Sequence, residues 1–139
     1  ERMVAWALET TGLSELADAP VVSLSGGQAQ RAWIAMALAQ GSKVLLLDEP
    51  TTYLDVRYQL DILRLVRRLN AEFGITVVMV LHDINQALCY SDEVVALADG
   101  RIVAQGAPRE VVTPDVIKRV YGIDLDVVEV EGKPFVLAV

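Results

Sequence analysis

The sequence predicts an α/β domain with a largely parallel sheet flanked by helices and finished by C-terminal β-hairpins. Three observations carry this. Short aliphatic runs alternate with segments of helical period. Two of those runs, Val44–Leu47 and Ile75–Leu81, are joined by one helix-length segment, as in a βαβ unit. The tail holds paired extended runs around Asp99-Gly100 and Glu131-Gly132-Lys133-Pro134, which are hairpin signals.

Taken in order, residues 1–10 read as a helix with Met3, Val4, Trp6, Ala7 and Leu8 apolar, stopped at Thr11-Gly12 and followed by a short turn through Leu16 to Pro20. Ser25 to Gln40 reads as a helix apolar on nearly every side (Ala32, Trp33, Ile34, Ala35, Met36, Ala37, Leu38), so burial is expected, with Trp6 and Trp33 in the core. Gly41 ends it. Val44–Leu47 is too short for a helix and apolar on both faces, the pattern of a central parallel strand. Asp55 caps a long helix to about Phe73, with Leu60, Leu63, Val66 and Leu69 on one face. The arginines 64, 67 and 68 read as a solvated face pairing with Asp61. Gly74 stops that helix, and Ile75–Leu81 forms the second strand. Because the crossover makes these strands parallel, their C-terminal ends are expected on one edge of the sheet.

Asp83 then caps a short helix to Tyr90, and Val94–Leu97 pairs with Ile102–Gln105. Thr113-Pro114 opens a helix to about Tyr121, ended by Gly122. The final hairpin is expected over Asp126–Val130 and Phe135–Val139.

Composition narrows the function classes. The 139 residues suffice for one domain with a real core, and 53% hydrophobic content excludes disorder. A net charge of −7 argues against nucleic-acid binding through bulk charge, which needs a basic surface. The longest apolar run, Ala32–Ala39, falls far short of the roughly 20 residues of a membrane-spanning helix. Glu1-Arg2-Met3-Val4 does not read as a secretory leader, and an opening on Glu is expected of a chain cut from something longer. The single cysteine, Cys89, forms no internal disulfide and is expected to be a buried thiol in a reducing compartment.

Three patterns carry chemistry. Leu24-Ser25-Gly26-Gly27-Gln28 precedes the apolar helix. Two glycines at a helix start let backbone N–H groups approach an anion, Ser25 adds a hydroxyl, and the helix dipole favours negative charge there. The alternative is an ordinary N-cap with a flexible lead-in. Val44 to Pro50 delivers two adjacent carboxylates, Asp48 and Glu49, at the C-terminal end of a strand, where ligands of open α/β sheets bind. Such a pair suits Mg²⁺ coordination by one group and activation of a water by the other. His82, the only histidine, follows the second strand and is expected on the same edge.

Together these patterns resemble the ATP-binding subunit of an ABC transporter, over roughly Val21 to Gly106. Leu24–Gln28 is similar to the family signature, Val44–Glu49 to the Walker B strand, Thr52-Tyr53-Leu54-Asp55 to the D-loop, and His82 to the switch histidine. The segments Asp48–Asp55, Leu81–Ala87 and Ala104–Pro108 resemble importers of iron chelates such as siderophores, with haem and cobalamin importers near them.

The resemblance implies the C-terminal part of a P-loop NTPase cassette. Residues 1–40 would be the remainder of the helical signature subdomain, 41–106 the Walker B to switch-histidine part of the core, and 107–139 a C-terminal helix and hairpin. It implies a head-to-tail dimer of ATP-binding subunits on transmembrane permease subunits at the cytoplasmic membrane face, using ATP and Mg²⁺, with no nucleic-acid partner. Ser25, Gly26, Gly27 and Gln28 would meet the γ-phosphate held by the other subunit, and Asp55 would reach across the dimer. Asp48 would hold Mg²⁺, Glu49 would orient or deprotonate the attacking water, and His82 would contact the γ-phosphate. One departure stands out: the P-loop, Gly-x-x-x-x-Gly-Lys-Ser/Thr, is not among these residues. The chain is therefore expected to hydrolyse no ATP alone. The rival readings are an ABC-type ATPase of DNA repair, chromosome maintenance or ribosome function, and a non-enzymatic binding module.

Overall fold

The computed structural model describes residues 1–138, so Val139, the expected end of the last strand, lies outside the described residues. The chain divides into two compact units, Glu1–Val80 and Leu81–Val139.

The first unit contains α1 (Arg2–Thr11), two single 3₁₀ turns (Ser14–Leu16 and Val21–Ser23), α2 (Gly26–Ala39), β1 (Val44–Asp48), α3 (Val56–Phe73) and β2 (Thr76–Val80). β1 and β2 pair in parallel from Val44 opposite Thr76 to Asp48 opposite Val80. The βαβ unit read from the sequence is therefore present, and its two strands end level with each other. Its core gathers Ala7, Ile34, Ala35, Leu38, Leu45, Ile62, Leu65, Leu69 and Ile75 from both helices and strands. α3 forms a wide apolar stripe of Ile62, Leu63, Leu65, Val66 and Leu69, the 3.6-residue spacing of a helix laid on a core. Trp6 meets Phe73 edge-on at 5.2 Å and 83°, tying α1 to the end of α3.

Two expectations change here. α2 is not buried all round: Ile34, Ala35 and Leu38 turn inward, but Trp33 is 57% and Met36 52% exposed. β1 and β2 likewise bury one face, with Leu45 inside and Leu46 74% exposed. The packing explains both. Among the described residues α2 packs mainly against α1 and α3, and adjacent residues of a strand point to opposite faces. The arginine face also differs: Asp61 bridges to Arg31 of α2 at 3.5 Å, and the Arg68 guanidinium donates to the Thr10 carbonyl. Both contacts join helices rather than neighbours on one helix.

The second unit contains α4 (Ile84–Tyr90), β3 (Val94–Ala98), β4 (Arg101–Gly106), α5 (Pro108–Val111), α6 (Pro114–Tyr121), β5 (Asp126–Val130) and β6 (Lys133–Leu137). β3 pairs antiparallel with β4, and β5 with β6. Asp99-Gly100 (φ 49°, 71°) and Glu131-Gly132 (φ 49°, 75°) are both two-residue turns with positive φ at each position, the geometry whose twist matches the strands. The second turn is shorter than expected from sequence. Lys133 opens β6 and Pro134 sits within it opposite Glu129, a placement an edge strand tolerates. Asn85 clamps this hairpin with its side-chain amide, donating to the Val136 carbonyl (3.0 Å) and accepting from the Val136 N–H (2.8 Å). Ile84 and Leu88, one turn apart on α4, pack on the core of Val112, Ile117 and Val136. That orientation leaves Cys89 exposed rather than buried as expected.

Candidate functional site

The first candidate segment is the start of α2. Ser25 is its N-cap, in extended backbone (φ −65°, ψ 164°), and it forms a reciprocal pair with Gln28. Gln28 N–H donates to Ser25 Oγ (3.2 Å), and Ser25 N–H donates to Gln28 Oε1 (2.9 Å). This is a capping box, which the Ser-x-x-Gln spacing encodes and the motif reading did not use. The box has a chemical consequence. It occupies acceptors, the Ser25 oxygen and the Gln28 carbonyl oxygen, and leaves the Ser25 hydroxyl hydrogen and the Gln28 NH₂ as donors. The N–H groups of Gly26 and Gly27 lie in the first turn, where no intrahelical acceptor exists. The end of α2 is thus a set of donors on a positive dipole end, suited to an anion.

The second segment begins where β1 ends. Asp48 is exposed and stands opposite Val80. Glu49, half-buried, takes left-handed backbone (φ 51°), and its N–H donates to the Val80 carbonyl at 3.1 Å. That bond extends the β1–β2 pairing by one residue and fixes where the carboxylate leaves the sheet. Thr52 folds back on Glu49, its N–H to the Glu49 carbonyl (3.2 Å) and its hydroxyl to Oε2 at a long 3.4 Å. Tyr53 is also left-handed (φ 63°), and its side chain is fully exposed. Asp55 N-caps α3 by accepting from the Tyr58 N–H at 3.2 Å, and Gln59 Nε2 donates to the Leu54 carbonyl (2.8 Å). Two adjacent carboxylates at a strand end match how Mg²⁺ is held, through one or two carboxylates with water and substrate phosphates completing the shell. Among the described residues no cluster of three or more His, Cys, Asp or Glu could hold a metal as a protein cage.

The two segments meet. A Cβ placed on Gly27 would lie 2.9 Å from Tyr58 Cδ1 and 3.2 Å from its Cγ, and one on Gly26 would lie 3.5 Å from Leu54 Cδ2. Sequence reasoning missed this contact. Nothing in the Gly-Gly spacing says which residue of a distant helix will fill the space a missing side chain leaves.

His82 belongs to the second unit, two residues past β2, and its side chain is exposed. Beside it, Asp83 caps α4 by accepting from the N–H groups of Asn85 (2.8 Å) and Gln86 (3.0 Å). Burial, and secondarily the negative charge of Asp83, raise the pKa of the Tyr121 phenol above its ordinary value of 10.0.

Comparison with known proteins bears on these elements. Residues 1–52 match the ABC transporter family. The chain is 54% identical over 127 residues to the iron(3+)-hydroxamate import ATP-binding protein FhuC of Bacillus subtilis, covering 91% of this chain and 47% of that protein. It is 51% identical over 139 residues to the ferric enterobactin transport ATP-binding protein FepC of Escherichia coli, covering 99% of this chain and 51% of that protein. A dimeric ATP-binding cassette solved in a post-hydrolysis state with ADP and Pi superimposes with a TM-score of 0.65 at 37% identity, over 78% of this chain and 47% of that one. The chain spans about half the length of the curated relatives it matches. Similarity at this level across nearly all of the chain puts it in the family of ABC transporter ATP-binding subunits, at about 50% identity to those of siderophore importers.

Proposed function

We propose that the protein containing these residues hydrolyses ATP to power import of iron chelates, as the ATP-binding subunit of an ABC importer. The observation that carries this is the join within the first unit: the donor-rich start of α2 is seated on the loop that follows the Asp48–Glu49 carboxylates. The names of the relatives support the substrate class, and the dimeric cassette supports a second ATP-binding subunit, which the proposal pairs head to tail.

In this reading Ser25 Oγ–H, the Gly27 N–H and the Gln28 NH₂ donate to the γ-phosphate of ATP held by a second subunit, and Gly26 lets the chain approach it. Asp48 would hold Mg²⁺, which its place in the carboxylate pair suits, and the bound ion would neutralise charge on the phosphates. Glu49 accepts a hydrogen bond from the attacking water, aligning it and taking its proton as the bond to the γ-phosphorus forms and the bridging P–O bond to ADP breaks. His82 donates to a γ-phosphate oxygen, and Asp55 reaches toward the second subunit. Phosphoryl transfer asks mainly for positioning and charge stabilisation, of which this set would supply a part. The division into a signature part (1–40), a Walker B to histidine part (41–106) and a C-terminal part (107–139) belongs to the same proposal. So do permease partners, a place on the cytoplasmic face of the membrane and the absence of a nucleic-acid partner. Among the described residues no helix is long and apolar enough to cross a membrane. Residues 1–139 contain no P-loop, so on their own they are expected to turn over no ATP.

The test is phosphate release by the full-length subunit assembled with its permease. Glu49→Gln should abolish turnover while nucleotide still binds. Unchanged turnover in that variant overturns the assignment, and ATPase stimulation by DNA without a permease would favour the repair class instead.

A further inference from the structure

The start of α2 and the start of α3 touch along a line rather than at one point. Gly26 faces Leu54, Gly27 faces Tyr58, and one turn further on Arg31 pairs with Asp61 at 3.5 Å. The tightest of these is Gly27 against Tyr58. The atoms within 3.2 Å of the absent Cβ are Cγ and Cδ1, the root of the ring, with Tyr58 Cβ at 3.5 Å. The root of a ring cannot swing clear without a change of χ1 rotamer. Gly27 is itself buried, so the contact is packed rather than incidental. Tyr58 is in turn tied to the loop, since its N–H makes the Asp55 cap and Gln59 beside it holds the Leu54 carbonyl.

We propose that Tyr58 is a positioning residue that locks the Ser25–Gln28 segment to the Glu49–Asp55 loop, so that the two move as one body. This rests on the function proposed above. There, one subunit lends its Ser25–Gln28 segment to one ATP and its Asp48–Glu49 pair to the other. A rigid join between those segments within one subunit carries displacement at either nucleotide to the other, through a chain of packed side chains. Gly27 then has two reasons to lack a side chain: approach to phosphate, and room for the Tyr58 ring.

The experiment uses the full-length subunit with its permease and a double-mutant cycle of Gly27→Ala and Tyr58→Ala, with Tyr58→Phe as the conservative variant. Tyr58→Phe should keep kcat within about twofold, because the ring and not the hydroxyl makes the contact. Tyr58→Ala should lower kcat by about tenfold or more and bring the Hill coefficient for ATP toward 1, with half-saturation moving less than about threefold. Gly27→Ala should cost more than about tenfold with Tyr58 present and less in the Tyr58→Ala background, where only the obstruction to phosphate is left. Equal losses from Gly27→Ala in both backgrounds overturn the inference, as does an unchanged Hill coefficient in Tyr58→Ala. The same cycle read as Tm separates the two layers of the argument. A full-length subunit that hydrolyses no ATP yet shows coupled Tm losses refutes the function while keeping the contact, whereas uncoupled Tm losses remove the contact whatever the activity.

Discussion

Replacing Asp55 by Asn and by Ala separates the two things its carboxylate does at the head of α3. The structure shows one hydrogen bond from the Tyr58 N–H to Oδ1 at 3.2 Å, at a helix end whose first turn holds no other acidic residue. Ala removes the bond and the charge, whereas Asn keeps an oxygen acceptor and removes only the charge. Loss of a side-chain cap costs about 1 kcal/mol. Loss of a carboxylate at a partly exposed N-terminus costs about 0.3–1 kcal/mol, and that part is screened by salt. For a chain of this size 1 kcal/mol moves Tm by roughly 4 °C. Asp55→Ala is therefore expected to lower Tm by about 5–8 °C, and Asp55→Asn by about 1–4 °C. The assay is thermal denaturation followed by circular dichroism at low and high ionic strength, where the Asn deficit should shrink as salt rises. An Asn variant as unstable as the Ala variant at every salt concentration would refute the capping account. If Asp55 also reaches a second subunit, Asp55→Asn should lose more ATPase activity in the full-length protein than its small Tm loss explains.

Three further outcomes are expected. Leu69→Ala, at a side chain with 0% exposure in the core of the first unit, should destabilise by about 2–5 kcal/mol in denaturant titration, and a loss below about 1 kcal/mol would contradict the packing described. Asn85→Ala strips both partners from the Val136 backbone, leaving a buried donor and acceptor at about 1–3 kcal/mol each, so hydrogen exchange at the Val136 amide should accelerate strongly; unchanged protection would count against the clamp. Tyr121 should ionise above 10.0 in the ultraviolet pH difference between the protein and Tyr121→Phe. Since folding favours its protonated form, the associated stability is present below the ordinary tyrosine range and is lost as pH rises through the raised value. Asp83→Asn should lower that pKa part of the way, because burial is the larger cause; ionisation at or below the ordinary value would refute the assignment.

Much of the local geometry of the candidate site was legible because it depends on near neighbours in sequence. A Ser-x-x-Gln spacing, an Asp before a helical stripe, and an aliphatic run ending in Asp-Glu each encode their own geometry through nearest-neighbour hydrogen bonding and side-chain period. The parallel pairing of β1 with β2 followed from the length of the segment between them. The contacts that join these pieces were not legible, and neither was the exposure of Trp33 and Leu46, whose apolar character says only that they can be buried. The second hairpin shows the same limit at short range: Glu131-Gly132 takes the turn that Asp-Gly favours, which moves Pro134 from the loop into the strand.

The order and type of the main helices and strands, most of their caps, and the donors and carboxylates presented at their ends were determined by the sequence alone, since each depends on residues within a turn or two of one another, whereas the short helix Pro108–Val111 was not. Only the tertiary structure decided that Tyr58 occupies the space above Gly27, that Asp61 turns to Arg31, and that Asn85 grips Val136 across 51 residues of chain. Those pairings are chosen by the packing of whole helices and strands against one another. Close packing fills each available space with whichever side chain the assembled geometry brings there.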